Sequence, residues 1–74
     1  MPKALTLPAL NDIFAEYASG VVLSPHTELT DLPIDSLDRL EIALQIEVLT
    51  NLDTPTDVEQ TWTTVQDILN TYTP

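Results

Sequence analysis

The sequence lacks cysteine altogether and contains one glycine and one histidine among its 74 residues. Without cysteine the chain can form neither disulfides nor thiolate metal sites, and a single glycine excludes a glycine-rich phosphate-binding loop. The one histidine, His26, lies in a proline-containing segment, and no nucleophile-elbow motif surrounds Ser36. Because neither a zinc site nor a cysteine–histidine pair can be built, these absences argue against an enzyme.

Long apolar runs and basic residues are also scarce. No stretch approaches the roughly 20 apolar residues of a membrane span, and the start MPKALTLPAL lacks the apolar core of a signal peptide. We therefore expect a cytoplasmic protein. Only Lys3 and Arg39 are basic, against twelve acidic residues, which gives a net charge of −10. Such a surface repels nucleic acid and anionic membranes and favours basic protein partners, although a merely solvated surface is the simpler alternative.

What the sequence does contain is helical periodicity. Apolar residues make up 43% of the chain, enough for one small core, so we predict a single domain over 1–74. They recur at spacings of three and four in three segments, which predicts three helices. The first follows the cap Thr6 and ends at Gly20, the second runs from Ser36 to about Thr50, and the third follows the cap Thr64. No segment alternates as a strand would, so the predicted fold class is all-α.

The connections complete the predicted architecture. Residues 21–34 carry two prolines and no helical period, which indicates a long loop between the first and second helices. Pro55 interrupts the chain again, and residues 56–60 predict one short helical turn capped by Thr56. The expected fold is a small four-helix bundle with three main helices and one short helix. Its core is expected to contain Leu10, Phe14, Leu40, Leu44, Val65 and Leu69.

The segment DSLDRLEI, residues 35–42, is the most informative stretch. Asp35 suits the N-cap of the second helix, and the charge of Asp38 suits the positive end of the helix dipole. Ser36 then occupies the first helical position with its hydroxyl pointing outward. Capping explains both aspartates, but it gives no reason for Leu37 and Leu40 to lie beside an exposed hydroxyl in so acidic a neighbourhood.

This arrangement resembles the attachment motif of acyl carrier proteins, in which an Asp-Ser-Leu triplet opens a central helix after a long loop. The resemblance covers nearly the whole chain. The segment TTVQDIL, residues 63–69, is similar to the usual start of the family's last helix, and Pro55 falls where the family often has proline before its short third helix. Length, acidity and helix order agree with the same family.

The resemblance implies roles for individual residues. Ser36 would carry a 4′-phosphopantetheine arm, whose thiol holds acyl groups as thioesters. Asp35 and Leu37 would complete the motif that a phosphopantetheinyl transferase reads. The implied partners are acyl-loading and acyl-processing enzymes with basic docking patches. The residues implied in recognising them are Asp38, Leu40, Glu41 and Glu47. The implied protein is a monomeric carrier of fatty-acid, lipid or polyketide-type synthesis, not itself an enzyme, without a metal site and without nucleic-acid or membrane partners.

The chain also departs from the family pattern. Pro33 stands where many members have glycine, so we expect a stiffer approach to Ser36. Val48 and Leu49 replace residues that are commonly acidic, and Arg39 would place a positive charge on an otherwise negative face. These differences leave open whether the chain serves ordinary fatty-acid synthesis or a dedicated pathway with its own partners. Within the carrier class, an aminoacyl or peptidyl carrier is the alternative to an acyl carrier. An unmodified acidic interaction module, which would need only the charge pattern, is a further alternative.

Overall fold

The computed structural model describes residues 4–73, and within this range the chain folds into three α-helices with no strand. The helices are α1 (Leu7–Phe14), α2 (Ser36–Thr50) and α3 (Val65–Thr71). A first 3₁₀ helix spans Leu29–Asp31 and a second spans Val58–Gln60. The predicted all-helical character is therefore confirmed. None of the described helices has the length and apolar character needed to cross a membrane.

Helix α1 begins as predicted and ends earlier than predicted. The Thr6 hydroxyl accepts the Ala9 N–H at 3.4 Å, and proline is tolerated in the first turn because those amides have no helical partner. The helix ends at Phe14, whose carbonyl accepts further N–H groups from the turns that follow. Gly20 lies six residues beyond, with φ of +82°, where it redirects the chain. The prediction that the first helix ends at Gly20 was wrong, because turns lie between Phe14 and Gly20.

Helix α2 has the predicted bounds, and its end is set by Asn51. That residue adopts the left-handed conformation with φ of 58° and donates its N–H to the Glu47 carbonyl at 2.8 Å. Asparagine is tolerated there more readily than most residues, which makes it a suitable helix terminator. The Thr50 hydroxyl donates to the Ile46 carbonyl at 2.7 Å and accepts the Leu52 N–H at 3.3 Å. This buried threonine therefore satisfies groups left over at the helix end.

The connection between α1 and α2 is more structured than one uninterrupted loop. It contains the first 3₁₀ helix and docks onto the start of α3, where Glu28 and Thr64 form an isolated antiparallel bridge. The carbonyls of Thr27 and Pro25 accept the N–H groups of Val65 and Gln66, each at 3.0 Å. The loop backbone thereby satisfies amides that a helix start would otherwise leave without partners.

The second 3₁₀ helix lies inside the segment predicted to form a short helix. Its cap is Asp57, which adopts φ of 63°, whereas Thr56 was the predicted cap. The start of α3 uses the carboxylate of Asp67, which accepts the Thr63 and Thr64 N–H groups at 2.8 and 3.1 Å. These two backbone hydrogen bonds lower the pKa of Asp67.

The core contains residues from all three helices and both 3₁₀ helices or their flanks. Of the predicted core, Leu10, Phe14 and Val65 are fully buried, and Leu69 packs against the core while partly buried. The buried apolar set is Leu5, Leu10, Ile13, Phe14, Leu23, Leu29, Ile42, Ala43, Ile46, Trp62, Val65, Ile68 and Tyr72.

The prediction that Leu40 and Leu44 lie in the core was wrong, because their side chains are 45% and 53% exposed. Helix α2 has apolar residues on two faces. The face that meets the core is the one carrying Ile42 and Ile46, which are 1% and 0% exposed. Spacing alone identifies both faces as apolar without indicating which of them packs inward.

The two ends of the described chain are joined at Tyr72. Its backbone carbonyl accepts the Leu5 N–H at 3.1 Å, and its ring meets Trp62 edge to face with centroids 6.1 Å apart. Its hydroxyl is hydrogen-bonded to that of Thr54, and burial raises the pKa of Tyr72 to about 12. The Trp62 indole N–H donates to Thr71 at 3.0 Å, so both aromatic polar groups have partners.

Candidate functional site

The start of α2 presents Ser36 at the first helical position, exposed to solvent. The approach to it is fixed by Pro33, across which the Ile34 N–H donates to the Leu32 carbonyl at 2.8 Å. A hydrogen bond between residues two apart defines a tight three-residue turn, and proline suits its central position because its φ is already restricted. This geometry agrees with the expected stiff approach to Ser36.

Asp35 and Asp38 hold the helix start through a reciprocal pair of hydrogen bonds. The Asp38 N–H donates to the Asp35 carboxylate at 2.8 Å, and the Asp35 N–H donates to the Asp38 carboxylate at 3.1 Å. This is a capping box, and both charges lie at the positive end of the helix dipole. Since the aspartates satisfy the amides, the Ser36 hydroxyl is not needed as a cap.

The Ser36 hydroxyl is accessible and uncommitted. No hydrogen bond among residues 4–73 engages it, and none joins it to His26, which lies exposed in a turn of the loop. A serine hydroxyl without an adjacent base is a weak nucleophile. The arrangement therefore suits an alcohol that a separate enzyme modifies, with the helix start holding it in a fixed position.

Beyond the serine, α2 presents a line of apolar side chains to solvent. We call this line the docking stripe; it consists of Leu37, Leu40, Leu44 and Val48, which are 61%, 45%, 53% and 87% exposed. Spacings of three and four place all four on one helix face, opposite the buried face. Leu37 and Leu40 were predicted at the site, whereas Leu44 and Val48 were not. The second apolar period along α2 was the signal that could have found them.

The acidic residues of α2 are not equivalent. Glu41 is exposed beside the docking stripe, and Asp38 is half-buried with its carboxylate engaged in the capping box. Glu47 is half-buried, and its carboxylate accepts the Thr54 N–H at 2.8 Å. Glu47 therefore holds the segment after α2 in addition to any role at the surface. Of the predicted acids, Glu41 is the one without a structural hydrogen bond in the described range.

Arg39 turns away from the acidic face, contrary to expectation. Its guanidinium donates to the Trp62 carbonyl at 2.9 Å and reaches the Glu59 carbonyl at 3.5 Å. These carbonyls belong to the end of the second 3₁₀ helix and the residues after it, where a positive charge is electrostatically favourable. The prediction that Arg39 places a positive charge on the acidic face of α2 was therefore wrong. The single basic residue of the described chain instead holds the second 3₁₀ helix region against α2.

Other surface features do not converge on Ser36. A depression of about 300 Å³ lies between α1 and the loop after it. It is lined by Leu7, Pro8, Asn11, Asp12, Val22 and Leu23, with no residue of α2. Within residues 4–73, no group of three or more acidic or histidine side chains is placed to hold a metal ion.

Comparison with known proteins gives no match, whether with protein-family models, with curated sequences or with solved structures.

Proposed function

We propose that this chain is an acyl carrier protein that holds acyl groups on a 4′-phosphopantetheine arm attached to Ser36. The observation that carries the proposal is the exposed, uncommitted Ser36 hydroxyl at the first position of a helix that Asp35 and Asp38 cap without it. The residues fit the arm, since a phosphodiester at this position displaces no hydrogen bond of the described chain. When bound, the arm supplies a terminal thiol that carries cargo as a thioester.

The proposal includes the architecture and the partners. The chain would be a four-helix bundle in which the second 3₁₀ helix is the short helix and the α1–α2 connection is the long loop. Its partners would be a phosphopantetheinyl transferase and acyl-loading and acyl-processing enzymes with basic docking patches. Asp35 and Leu37 would complete the transferase motif, while Asp38, Leu40, Glu41 and Glu47 would face partners. Fast, weak docking suits a carrier that visits several enzymes, and exposed charges favour fast encounter.

The experiment that tests the attachment is intact mass after incubation with coenzyme A and a broad-specificity phosphopantetheinyl transferase. We expect one arm for each chain and none on Ser36→Ala. Ser19→Ala and Ser24→Ala are the matched controls, since they remove the other serines and should leave the modification unchanged. An unchanged mass with several competent transferases would remove the carrier proposal, and an arm on Ser19 or Ser24 would remove the site.

Two alternatives, an aminoacyl or peptidyl carrier and an unmodified interaction module, require further measurements. An aminoacyl or peptidyl carrier would also accept the arm, so loading assays with acyl-activating and amino-acid-activating enzymes separate it from an acyl carrier. An unmodified acidic interaction module is favoured by the docking stripe, which is exposed whether or not Ser36 is modified. If the chain is such a module, the Ser36→Ala variant should bind the partner as tightly as the unsubstituted protein does. If the chain is a carrier, the same variant should lose cargo transfer.

A further inference from the structure

Arg39 follows the candidate attachment residue Ser36 by three positions on α2. Residues three apart on a helix lie on one face, with Cβ atoms about 5–6 Å apart, and long helical side chains extend towards the amino-terminal end of their helix. The turn that the Arg39 side chain covers is therefore the turn that carries Ser36. Arg39 is also the one lysine or arginine among residues 4–73.

The Arg39 guanidinium has hydrogen-bond donors that the fold does not use. Both hydrogen bonds that it makes among the described residues come from Nη1, at 2.9 Å to the Trp62 carbonyl and 3.5 Å to the Glu59 carbonyl. Arginine also carries N–H donors on Nε and Nη2, and within residues 4–73 these have no partner. Because the two acceptors are neutral carbonyls, the positive charge has no counter-charge in these contacts. A half-buried guanidinium in this state is suited to binding an anion.

A phosphate on Ser36 would lie in an environment that is otherwise acidic. The carboxylates of Asp35 and Asp38 hold the helix start through the capping box, so neither can turn away without losing a hydrogen bond to a backbone amide. Both repel a second negative charge placed between them, and the helix dipole offsets only part of this repulsion. Within the described range, Arg39 is the side chain of this helix end that can supply a full positive charge.

We propose that Arg39 binds the phosphate of the 4′-phosphopantetheine arm on Ser36 through Nε and Nη2, while Nη1 keeps its hydrogen bond to the Trp62 carbonyl. The guanidinium then bridges the base of the arm and the segment before α3. Guanidinium–phosphate hydrogen bonds are charge-assisted and can be bidentate, so arginine suits this position better than lysine. The inference rests on the proposed function for the identity of the arm, whereas the contact itself requires only a phosphate on the Ser36 oxygen.

The contact has a consequence for the fold as well as for the arm. It orients the phosphate end of the arm and leaves the distant thiol end unrestrained. Since Ser36 opens α2 and Trp62 precedes α3, binding of the phosphate also strengthens the connection between these two segments. Attachment of the arm should therefore stabilise the protein more when Arg39 is present than when it is absent.

The test compares the protein before and after attachment of the arm, with and without Arg39. Because Arg39 is the only arginine, its Nε–H gives a single side-chain NMR signal, and attachment should shift that signal. The change in melting temperature on attachment should be more positive by about 2–5 °C in the unsubstituted protein than in Arg39→Met, as expected for one ion pair in a small domain. The NMR signal is measured on the unsubstituted protein, so it is decisive even if Arg39→Met does not fold.

Two variants and one synthetic chain serve as controls. Arg39→Lys keeps the charge without the planar group and should retain only part of the melting difference. Gln66→Glu, at an exposed position on α3, lowers the net charge by one as Arg39→Met does and should respond to attachment as the unsubstituted protein does. A chain synthesised with a phosphate on Ser36 should show the same shift of the Arg39 signal without any transferase.

Several results would overturn the proposal. If neither the arm nor the synthetic phosphate shifts the Arg39 signal, or if the melting response is equal in Arg39→Met, Arg39 does not bind the phosphate. A red shift of Trp62 fluorescence on attachment would show that the guanidinium leaves the Trp62 carbonyl, which contradicts the bridging contact. Failure of the proposed function looks different: the intact mass shows no arm, while the chain with phosphate on Ser36 still shifts the Arg39 signal.

Discussion

At the scale of single residues, position on a helix face decides function more than residue type does. Leu44 and Ile46 are two residues apart on α2, both apolar and both good candidates for the core by spacing. One is 53% exposed and the other fully buried. The same contrast separates Glu41, whose carboxylate has no structural partner in the described range, from Glu47, which holds the Thr54 N–H.

We therefore expect Ile46→Ala and Leu44→Ala to have different effects on stability. Ile46→Ala should lower the free energy of unfolding by about 2–5 kcal/mol, because it leaves a cavity in the core. Leu44→Ala should change it by no more than about 0.5 kcal/mol, since the side chain is half exposed and alanine favours helices. Urea unfolding followed by circular dichroism measures both. A larger loss for Leu44→Ala than for Ile46→Ala would contradict the assignment of the buried face.

At the scale of elements, the second 3₁₀ helix depends on a side chain from another element. Three residues of 3₁₀ helix contribute few hydrogen bonds of their own, and the cap Asp57 makes no side-chain bond to them. Arg39 supplies what the segment lacks by donating to the Trp62 carbonyl. The first turn of α2, which carries Ser36, is thereby tied to the segment that precedes α3.

Replacing Arg39 should loosen this segment while α1 and α3 persist. Arg39→Met keeps the apolar stem and removes the donors, so the loss should be about 1.5–3 kcal/mol, typical of a hydrogen bond to a charged group. Trp62, the only tryptophan, is 4% exposed and reports the change as a red shift of fluorescence. Arg39→Lys keeps the charge but not the planar guanidinium group. Its loss of unfolding free energy should therefore be smaller than that of Arg39→Met but greater than zero. An unchanged emission and stability in Arg39→Met would contradict the role.

At the scale of the whole molecule, the charge of −10 acts within a body of 31 × 24 × 20 Å. Eight acidic residues lie between Asp31 and Glu59, and the one basic residue among them, Arg39, faces backbone carbonyls. Like charges in so small a volume repel one another in the folded state. At 0.1 M salt the screening length is about 10 Å, which is shorter than every dimension of the protein.

Added sodium chloride should therefore raise the melting temperature of the unmodified protein. For a domain of this size, each 1 kcal/mol of relieved repulsion corresponds to about 4–8 °C. Magnesium chloride at matched ionic strength distinguishes general screening from bound cations. The control variant is Asp53→Asn with Asp57→Asn, which removes two exposed charges and retains a residue tolerated at the positive φ of position 57. The melting temperature of that variant should rise less with added salt than that of the unsubstituted protein. If added salt lowers the melting temperature of the unsubstituted protein, repulsion between its acidic residues does not limit its stability.

The sequence by itself determined the helical class, the bounds of α2 and the caps Thr6, Asp35 and Thr64. These features depend on neighbours within a few residues, which periodicity and capping chemistry describe. Asp35 and Asp38 were also recognisable as groups that stabilise the helix start. None of these features needs a contact with a distant part of the chain, and for that reason the local pattern was sufficient to predict them.

Only the tertiary structure decided which face of α2 is buried, where Arg39 points and what Glu47 binds. Both faces of α2 are apolar, so the choice depends on which one meets α1 and the second 3₁₀ helix. Arg39 and Glu47 find backbone partners at Trp62 and Thr54, in segments whose placement no local pattern specifies. The exposed docking stripe is the consequence, because packing one apolar face of a helix leaves the opposite face in solvent.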